Sequence, residues 1–374
     1  MSYVTKAVET EWVSTAGSFV SDFERSVAEY VGVDRAVACQ SGTAGLHTAM
    51  LVCGVTRDDM VIVPTLTFIA AVNPVRYIGA EPMFMDCDDS LCMDPNKLES
   101  FCREECTLRE GVLYHNESGK RIPAVIVVHV FGNMADMERI TAIADKYGLR
   151  IIEDATEALG TYYTDGSLKG RFAGTIGDVG VYSFNGNKII TTGGGGMIVS
   201  RHPEMLDHAH HLTTQAKSDE LNYLHDEVGY NYRLTNLQAA LGVAQMEQLD
   251  GFIQTKNENH QLYRQGLENS STMKFLGFRE DIRSNCWFYS VYLMDNAPLS
   301  RDELIRRLSG MGVQCRPIWG LIHDQMPYQG SRAYQIEKAK EYWQHIVNIP
   351  CSTNLTKEDV GYVLECLHAL MSGK

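Results

Sequence analysis

Arg150-Ile151-Ile152-Glu153-Asp154 and, further along, Val179-Gly180-Val181-Tyr182-Ser183-Phe184-Asn185-Gly186-Asn187-Lys188 decide how this chain is read. Each opens as a short apolar run of strand type and ends in polar residues. Thirty-four residues separate Asp154 from Lys188, enough for one crossover between neighbouring parallel strands. In open α/β sheets the ligand sits beyond the carboxyl ends of the strands, so these polar ends are where chemistry is expected.

Working outward, the same alternation fills the first 250 residues. Further strands are expected at 35–39, 61–64, 82–86, 124–130 and 197–200. Helices are expected at 19–31, with Ser18 as cap and Gly32 as stop, over Leu46 to Gly54, at 68–78 and at 136–147. Short apolar strands alternating with helices imply an α/β fold with a mostly parallel central sheet covered on both faces. The pattern changes near residue 250. A half-buried strand at 286–294 alternates Trp287, Tyr289, Val291 and Leu293, a helix follows at 301–308, and a last helix begins at Ser352. The expected division is a large domain over 1–250, including the N-terminal helices, and a smaller α+β domain over 251–374. Residues 110–121 read as a surface loop or insertion.

The composition is that of an ordinary folded protein, which excludes disordered and collagen-like chains. Against 33 Lys and Arg stand 47 Asp and Glu, a formal charge of −14 over 374 residues. That balance argues against a nucleic-acid partner, which needs a basic face. It leaves an anionic small-molecule substrate open, because screening confines the global charge to roughly 8 Å. Ten scattered cysteines read as reduced, mostly buried thiols. Residues 1–12 lack a signal-peptide core, and no apolar run approaches the roughly 20 residues of a membrane span. A cytoplasmic protein is the expectation.

The strand-end residues supply the parts of a pyridoxal-phosphate site: a lysine, an acid for the ring nitrogen, a phosphate cradle and a flat apolar partner. Lys188 is the candidate lysine and Asp154 the candidate acid. Ser41-Gly42-Thr43-Ala44, at a helix start, offers small residues and backbone N–H groups to a phosphate, and Ser183 could add a hydroxyl. Phe68 could stack on the ring. Taken singly, each has a plainer reading: a surface lysine, a helix-capping aspartate, an ordinary helix cap, a core aromatic. Competing motifs are weaker. His208, His210 and His211 lack the further ligands of a metal site. Gly174, Gly177 and Gly180 precede a strand instead of following one, which excludes a dinucleotide fingerprint. Lys169 has no strand ahead of it.

From about Trp12 to Arg316-Pro317 the chain resembles the DegT/DnrJ/EryC1/StrS family of sugar aminotransferases. The resemblance rests above all on Glu153-Asp154-Ala155-Thr156-Glu157-Ala158-Leu159-Gly160, on Ser183-Phe184 through Lys188, and on Gly229-Tyr230-Asn231-Tyr232-Arg233-Leu234-Thr235-Asn236-Leu237-Gln238-Ala239-Ala240. It implies the fold type I aminotransferase architecture, a homodimer with shared sites, Lys188 as Schiff-base lysine and Asp154 on the pyridine nitrogen. Phe68 would stack on the ring, Gly42, Thr43 and Ser183 would hold the phosphate with Ala44 beside them, and Asn231 would reach it from the neighbouring subunit. Three positions depart from the commonest pattern: Glu157 for His or Gln, Asn185 for His, and Gly194 for Glu. Glu157 and Asn185 are expected beside the cofactor.

The combination is similar to the branch converting UDP-linked 2-acetamido-2,6-dideoxy-hexos-4-uloses, as in legionaminic-acid-type pathways, with glutamate as amino donor. Arg233 and Arg316 are the candidate receivers of the nucleotide diphosphate. Two other readings stay open: a dehydratase of the same family, which would carry histidine in place of Lys188, and a non-enzymatic scaffold that keeps the fold.

Overall fold

The computed structural model describes residues 1–372; Gly373 and Lys374, the last two residues of the expected small domain, lie outside the described residues. Twelve strands form two sheets: β1 (Ala36–Cys39), β2 (Met60–Pro64), β3 (Glu81–Met85), β4 (Ala124–Val128), β5 (Arg150–Asp154), β6 (Val179–Ser183), β7 (Gly196–Ser200), β8 (Met273–Phe275), β9 (Tyr289–Leu293), β10 (Arg316–Pro317), β11 (Arg332–Tyr334) and β12 (Ile346–Ile349). The large sheet has the order β1-β7-β6-β5-β4-β2-β3-β11 and the small one β8-β9-β12-β10.

In the large sheet only β7 runs against its neighbours, pairing antiparallel with both β1 and β6; the pairs from β6 to β11 are parallel. Strands β2, β4, β6 and β7 are buried along their whole length, as expected of a sheet covered on both faces. Helix Met137–Tyr147 shows why the crossovers form where they do. The Asp136 side chain accepts the Arg139 N–H at its start, and Gly148, at φ 69°, ends it in the left-handed conformation. The small sheet has its own core, in which Val291 and Leu293 of β9 meet Tyr263 and Leu267 of helix Leu249–Leu267 and Val360 and Leu367 of helix Lys357–Met371. Strand β11, although it follows that sheet's first strands in sequence, joins β3 of the large sheet.

Five local expectations are corrected. The segment 68–78 is a 3-10 turn, Ile69–Ala71, followed by helix Asn73–Ile78, because Pro74 is tolerated only in a first turn. Residues 110–121 are no loop but part of a three-stranded meander, Cys106–Arg109, Val112–His115 and Arg121–Ile122. Its tight turn places Glu110 and Gly111 at φ 52° and 79°, a hairpin geometry that the pair Glu-Gly signals weakly. The strand at 286–294 begins only at Tyr289, since Cys286 sits at φ 52°. The last helix starts at Lys357, capped by Thr356 and Asp359 in a reciprocal box. Finally, Ser18 is the first helical residue and not the cap.

The capping of helix Ser18–Val31 comes from a distant side chain. Asn236 Oδ1 accepts the Phe19 N–H at 3.0 Å, and Asn236 Nδ2 donates to the Trp12 carbonyl at 2.6 Å. A Cβ on Gly17 would lie 2.3 Å from Asn236 Cγ, so only glycine permits this approach. Asn236 thus ties the N-terminal segment to helix Asn236–Met246. Asn236→Ala removes both bonds in a buried site and is expected to cost roughly 2 to 4 kcal/mol in a urea unfolding series; a loss under about 0.5 kcal/mol would contradict this role.

Candidate active site

Parallel pairing sets Val181 of β6 beside Asp154 of β5. Asp154 therefore ends its strand next to the point where β6 runs into Ser183. The chain then turns through Asn185, whose carbonyl accepts the Lys188 N–H at 3.0 Å, and returns as β7 with Gly196 opposite Ser183. Both strand ends open into a cavity of about 640 Å³. Of the residues singled out from the sequence, Gly42, Thr43, Phe68, Asp154, Glu157, Ser183, Asn185, Lys188 and Arg316 line it.

Asp154 is fully buried, and among the described residues no cation lies within ion-pair distance of it. Its Oδ1 accepts the Thr156 N–H at 3.0 Å. Burial raises its carboxyl above the ordinary value, while the Thr156 bonds and the charges of Lys188 and His129 pull it partly back. A buried carboxylate of this kind suits a cationic ring nitrogen brought in by a ligand. Glu157 is the second acid. Its Oε2 accepts the Phe131 N–H at 2.8 Å, and its Oε1 lies 3.7 Å from Lys188 Nζ. Burial pushes its carboxyl up to about 7; Lys188 and the Phe131 bond oppose this, and Asp154 reinforces it. The Lys188 amine also sits 4.2 Å from the centre of the Trp287 ring, so it is held between a carboxyl and an aromatic face.

The N-terminus of helix Gly42–Val52 meets the same cavity. Ser41 caps it by accepting the Ala44 N–H, and the Gly42 and Thr43 N–H groups, in the helix's first turn, have no intrahelical acceptor. A Cβ on Gly42 would stand 2.9 Å from Thr156 Cγ2 and 3.0 Å from Ser183 Cβ, so a side chain would fill this cradle. Phe68 is 54% exposed at the mouth, an unusual setting for an aromatic ring without a ligand or partner. The donor set and the unpaired acid fit pyridoxal phosphate.

Three candidates stand apart. Ala44 is buried inside the helix start and does not reach the cavity. Asn231 bridges to Thr214, and Arg233 lies near Glu24 and His210, so neither enters the cavity of its own chain. Both belong to a segment whose preceding hairpin exposes Leu221, Tyr223, Leu224 and Val228. His208 and His211 hold that segment through Glu227 and Asp226.

Sequence reasoning missed the wall that the C-terminal part supplies. Trp287 and Phe288 stack at 3.9 Å, Trp319 lies 4.6 Å from Phe131, and Asn348 completes the lining. The Trp287 indole N–H donates to the Asn187 carbonyl at 2.8 Å, bracing the Lys188 loop. Asn285 braces the Glu157 turn through bonds to the Glu157 and Leu159 carbonyls. One signal was present: two adjacent large aromatics, 287 and 288, cannot both face one core in an alternating strand.

Comparison with known proteins agrees with this geometry. The sequence profile of the DegT/DnrJ/EryC1/StrS aminotransferase family matches residues 1–368. A GDP-perosamine synthase of Escherichia coli O157:H7 is 33% identical over 372 residues, covering 100% of this chain and 95% of its own. A UDP-4-amino-4,6-dideoxy-N-acetyl-beta-L-altrosamine transaminase of Campylobacter jejuni is 28% identical over 98% of this chain and 93% of its own. The crystal structure of a DegT DnrJ EryC1 StrS aminotransferase from Brucella abortus superposes with a TM-score of 0.89 at 26% identity, covering 100% of this chain and 95% of that one.

The raised carboxyl of Glu157 has a measurable consequence for the cofactor-free protein. Folded, it keeps its proton to about pH 7; unfolded, it loses it near 4.5. The folded state binds the extra proton, so stability falls as pH rises between these values, by a total on the order of 3 kcal/mol, and levels off above. Urea midpoints at pH 5 and pH 8 are expected to show this loss in the wild type and not in Glu157→Gln. The same pH dependence in both would contradict the assignment.

Proposed function

The chain belongs to the DegT/DnrJ/EryC1/StrS aminotransferase family, a pyridoxal-phosphate-dependent group of sugar aminotransferases, and we propose that it moves an amino group from glutamate to C4 of a UDP-linked 2-acetamido-2,6-dideoxy-hexos-4-ulose. The product would serve surface-polysaccharide or nonulosonic-acid synthesis. The observation that carries the reading is the meeting of an unpaired buried acid, Asp154, and a lysine, Lys188, in one cavity beside a free helix N-terminus. The altrosamine transaminase supports a UDP sugar aminated at C4. A GDP-linked sugar is the second reading, favoured by the 33% identity to a GDP-perosamine synthase.

When bound, pyridoxal phosphate supplies an electron sink for the carbon that loses its proton. Asp154 keeps the ring nitrogen protonated, and its burial strengthens that attraction. The Gly42 and Thr43 N–H groups and the Ser183 hydroxyl hold the phosphate. Lys188 Nζ removes the proton from the donor's α-carbon and, in the second half-reaction, reverses the movement on the sugar side. The two substrates use one lysine in turn, so the kinetics are ping-pong. The aromatic wall of Trp287, Phe288 and Trp319 excludes water from the reacting atoms.

We read the working form as a homodimer in which a second copy brings Asn231 to the phosphate. The distance of Asn231 from its own cavity and the exposed hairpin beside it support this. We also read the enzyme as cytoplasmic. Among the described residues no helix is long and apolar enough to cross a membrane, and all ten cysteines are free, nine of them buried.

Lys188→Ala tests the reading. Turnover of glutamate with the keto sugar to 2-oxoglutarate is expected to fall at least about a thousandfold, with circular dichroism unchanged. Near-normal turnover would refute the assignment, and keto-sugar loss without 2-oxoglutarate in the wild type would favour the dehydratase. Assaying UDP- and GDP-linked 4-keto sugars side by side separates the two substrate readings: the UDP sugar is expected to give the higher kcat/KM, and preference for the GDP sugar would overturn it.

A further inference from the structure

Among the described residues, the cavity has two cations from this chain, Lys188 and Arg316. Lys188 is the reacting amine and already faces Glu157 at 3.7 Å. Arg316 is different. It lies on the short edge strand β10, opposite Asn348 of β12, and no carboxylate among the described residues comes within 4 Å of its guanidinium. Its one hydrogen bond runs from Nη1 to the Cys315 carbonyl at 2.9 Å, which leaves most of its donors free. Its neighbour in the register is fixed: Asn348 is buried, and its Oδ1 accepts the Ser290 hydroxyl at 2.7 Å.

Beyond the helix N-terminus that the cofactor's phosphate would take, and Lys188, the cavity offers anions little. Two carboxyl groups, Asp154 and Glu157, line the same cavity, and the chain carries a formal charge of −14. Both substrates of the proposed reaction are anions: an amino acid with two carboxylates, and a sugar carrying a diphosphate. Both must bring a carbon to the same Lys188 Nζ, one after the other. A permanently charged planar fork suits carboxylate and phosphate alike.

We propose that Arg316 is the shared anion receptor of both half-reactions, binding a carboxylate of the amino donor first and the diphosphate of the nucleotide sugar second. This rests on the aminotransferase reading and adds a residue that decides substrate class: the site accepts donors and acceptors that place an anion at one fixed distance from the lysine. It also gives the exchange of substrates a physical basis, since one anion must leave Arg316 before the next can take its place.

The test uses the cofactor-loaded wild type, Arg316→Gln and Arg316→Lys in separated half-reactions, followed by cofactor absorbance. In Arg316→Gln the half-saturating concentrations of glutamate and of the keto sugar are each expected to rise roughly 10- to 100-fold, more than the limiting rates fall, with Arg316→Lys intermediate. Equilibrium binding gives a second readout: glutarate and inorganic pyrophosphate are expected to displace each other on the wild type, and both to bind 10- to 100-fold more weakly to Arg316→Gln. A rise for one substrate only, for neither, or simultaneous binding of the two probes would overturn the proposal. Wild-type transamination in the same assay keeps the enzyme assignment separate from this outcome.

Discussion

The register between β5 and β6 is the constraint on which the site depends. It is set by a buried acid one residue before the site acid. Glu153 accepts N–H bonds from Gly174, Ile176 and Gly177, and its Oε2 meets His129 Nε2 at 2.8 Å. Burial would raise this carboxyl, but His129 and the backbone N–H groups hold it below its ordinary value. Hydrogen bonds to a charged group contribute about 1.5 to 3 kcal/mol each, so the crossover leading into β6 is firmly tied to the end of β5. Gly180 permits the fit, since a Cβ there would lie 1.9 Å from the Gly174 carbonyl oxygen. Asp154 therefore reaches the cavity at a fixed height, with Lys188 delivered from the neighbouring strand.

From this anchor the cavity is assembled by both sheets. The large sheet and helix Gly42–Val52 contribute the acids, the lysine and the N–H groups of the cradle, at or just beyond strand ends or at a helix start. The segments around the small sheet contribute aromatic surface and Arg316. The link between them is direct, because the Trp287 indole bonds to the backbone that carries Lys188. The left-handed Cys286 turns the chain so that Trp287 and Phe288 face the cavity before β9 begins.

Much of this was legible from the chain alone, for identifiable reasons. Continuous β-branched runs such as Ala124–Val128 signal strands buried on both faces, and Asp136 and Gly148 mark a helix by side-chain and backbone preference. Asp154, Lys188 and Gly42 could be placed because parallel topology sends strand ends to one side. Non-local constraints were not legible. Asn236 caps a helix more than two hundred residues away, a bond that no local pattern announces. Trp287 fits the alternating pattern of a strand, but the left-handed Cys286 shortens that strand to begin at Tyr289. Arg316 and Asn348 become neighbours only through strand pairing in the small sheet.

Family membership explains the cofactor, and Glu157, whose carboxyl burial pushes up to about 7, adds a second acid 3.7 Å from Lys188 Nζ. The central claim is that the acid at the end of β5 and the amine beyond β6 grip one cofactor. Borohydride reduction of the pyridoxal-phosphate-loaded protein, followed by peptide mass mapping, tests it most directly. A single cofactor adduct on the peptide containing Lys188 is expected; an adduct on any other lysine, or no adduct at all, would contradict the assignment.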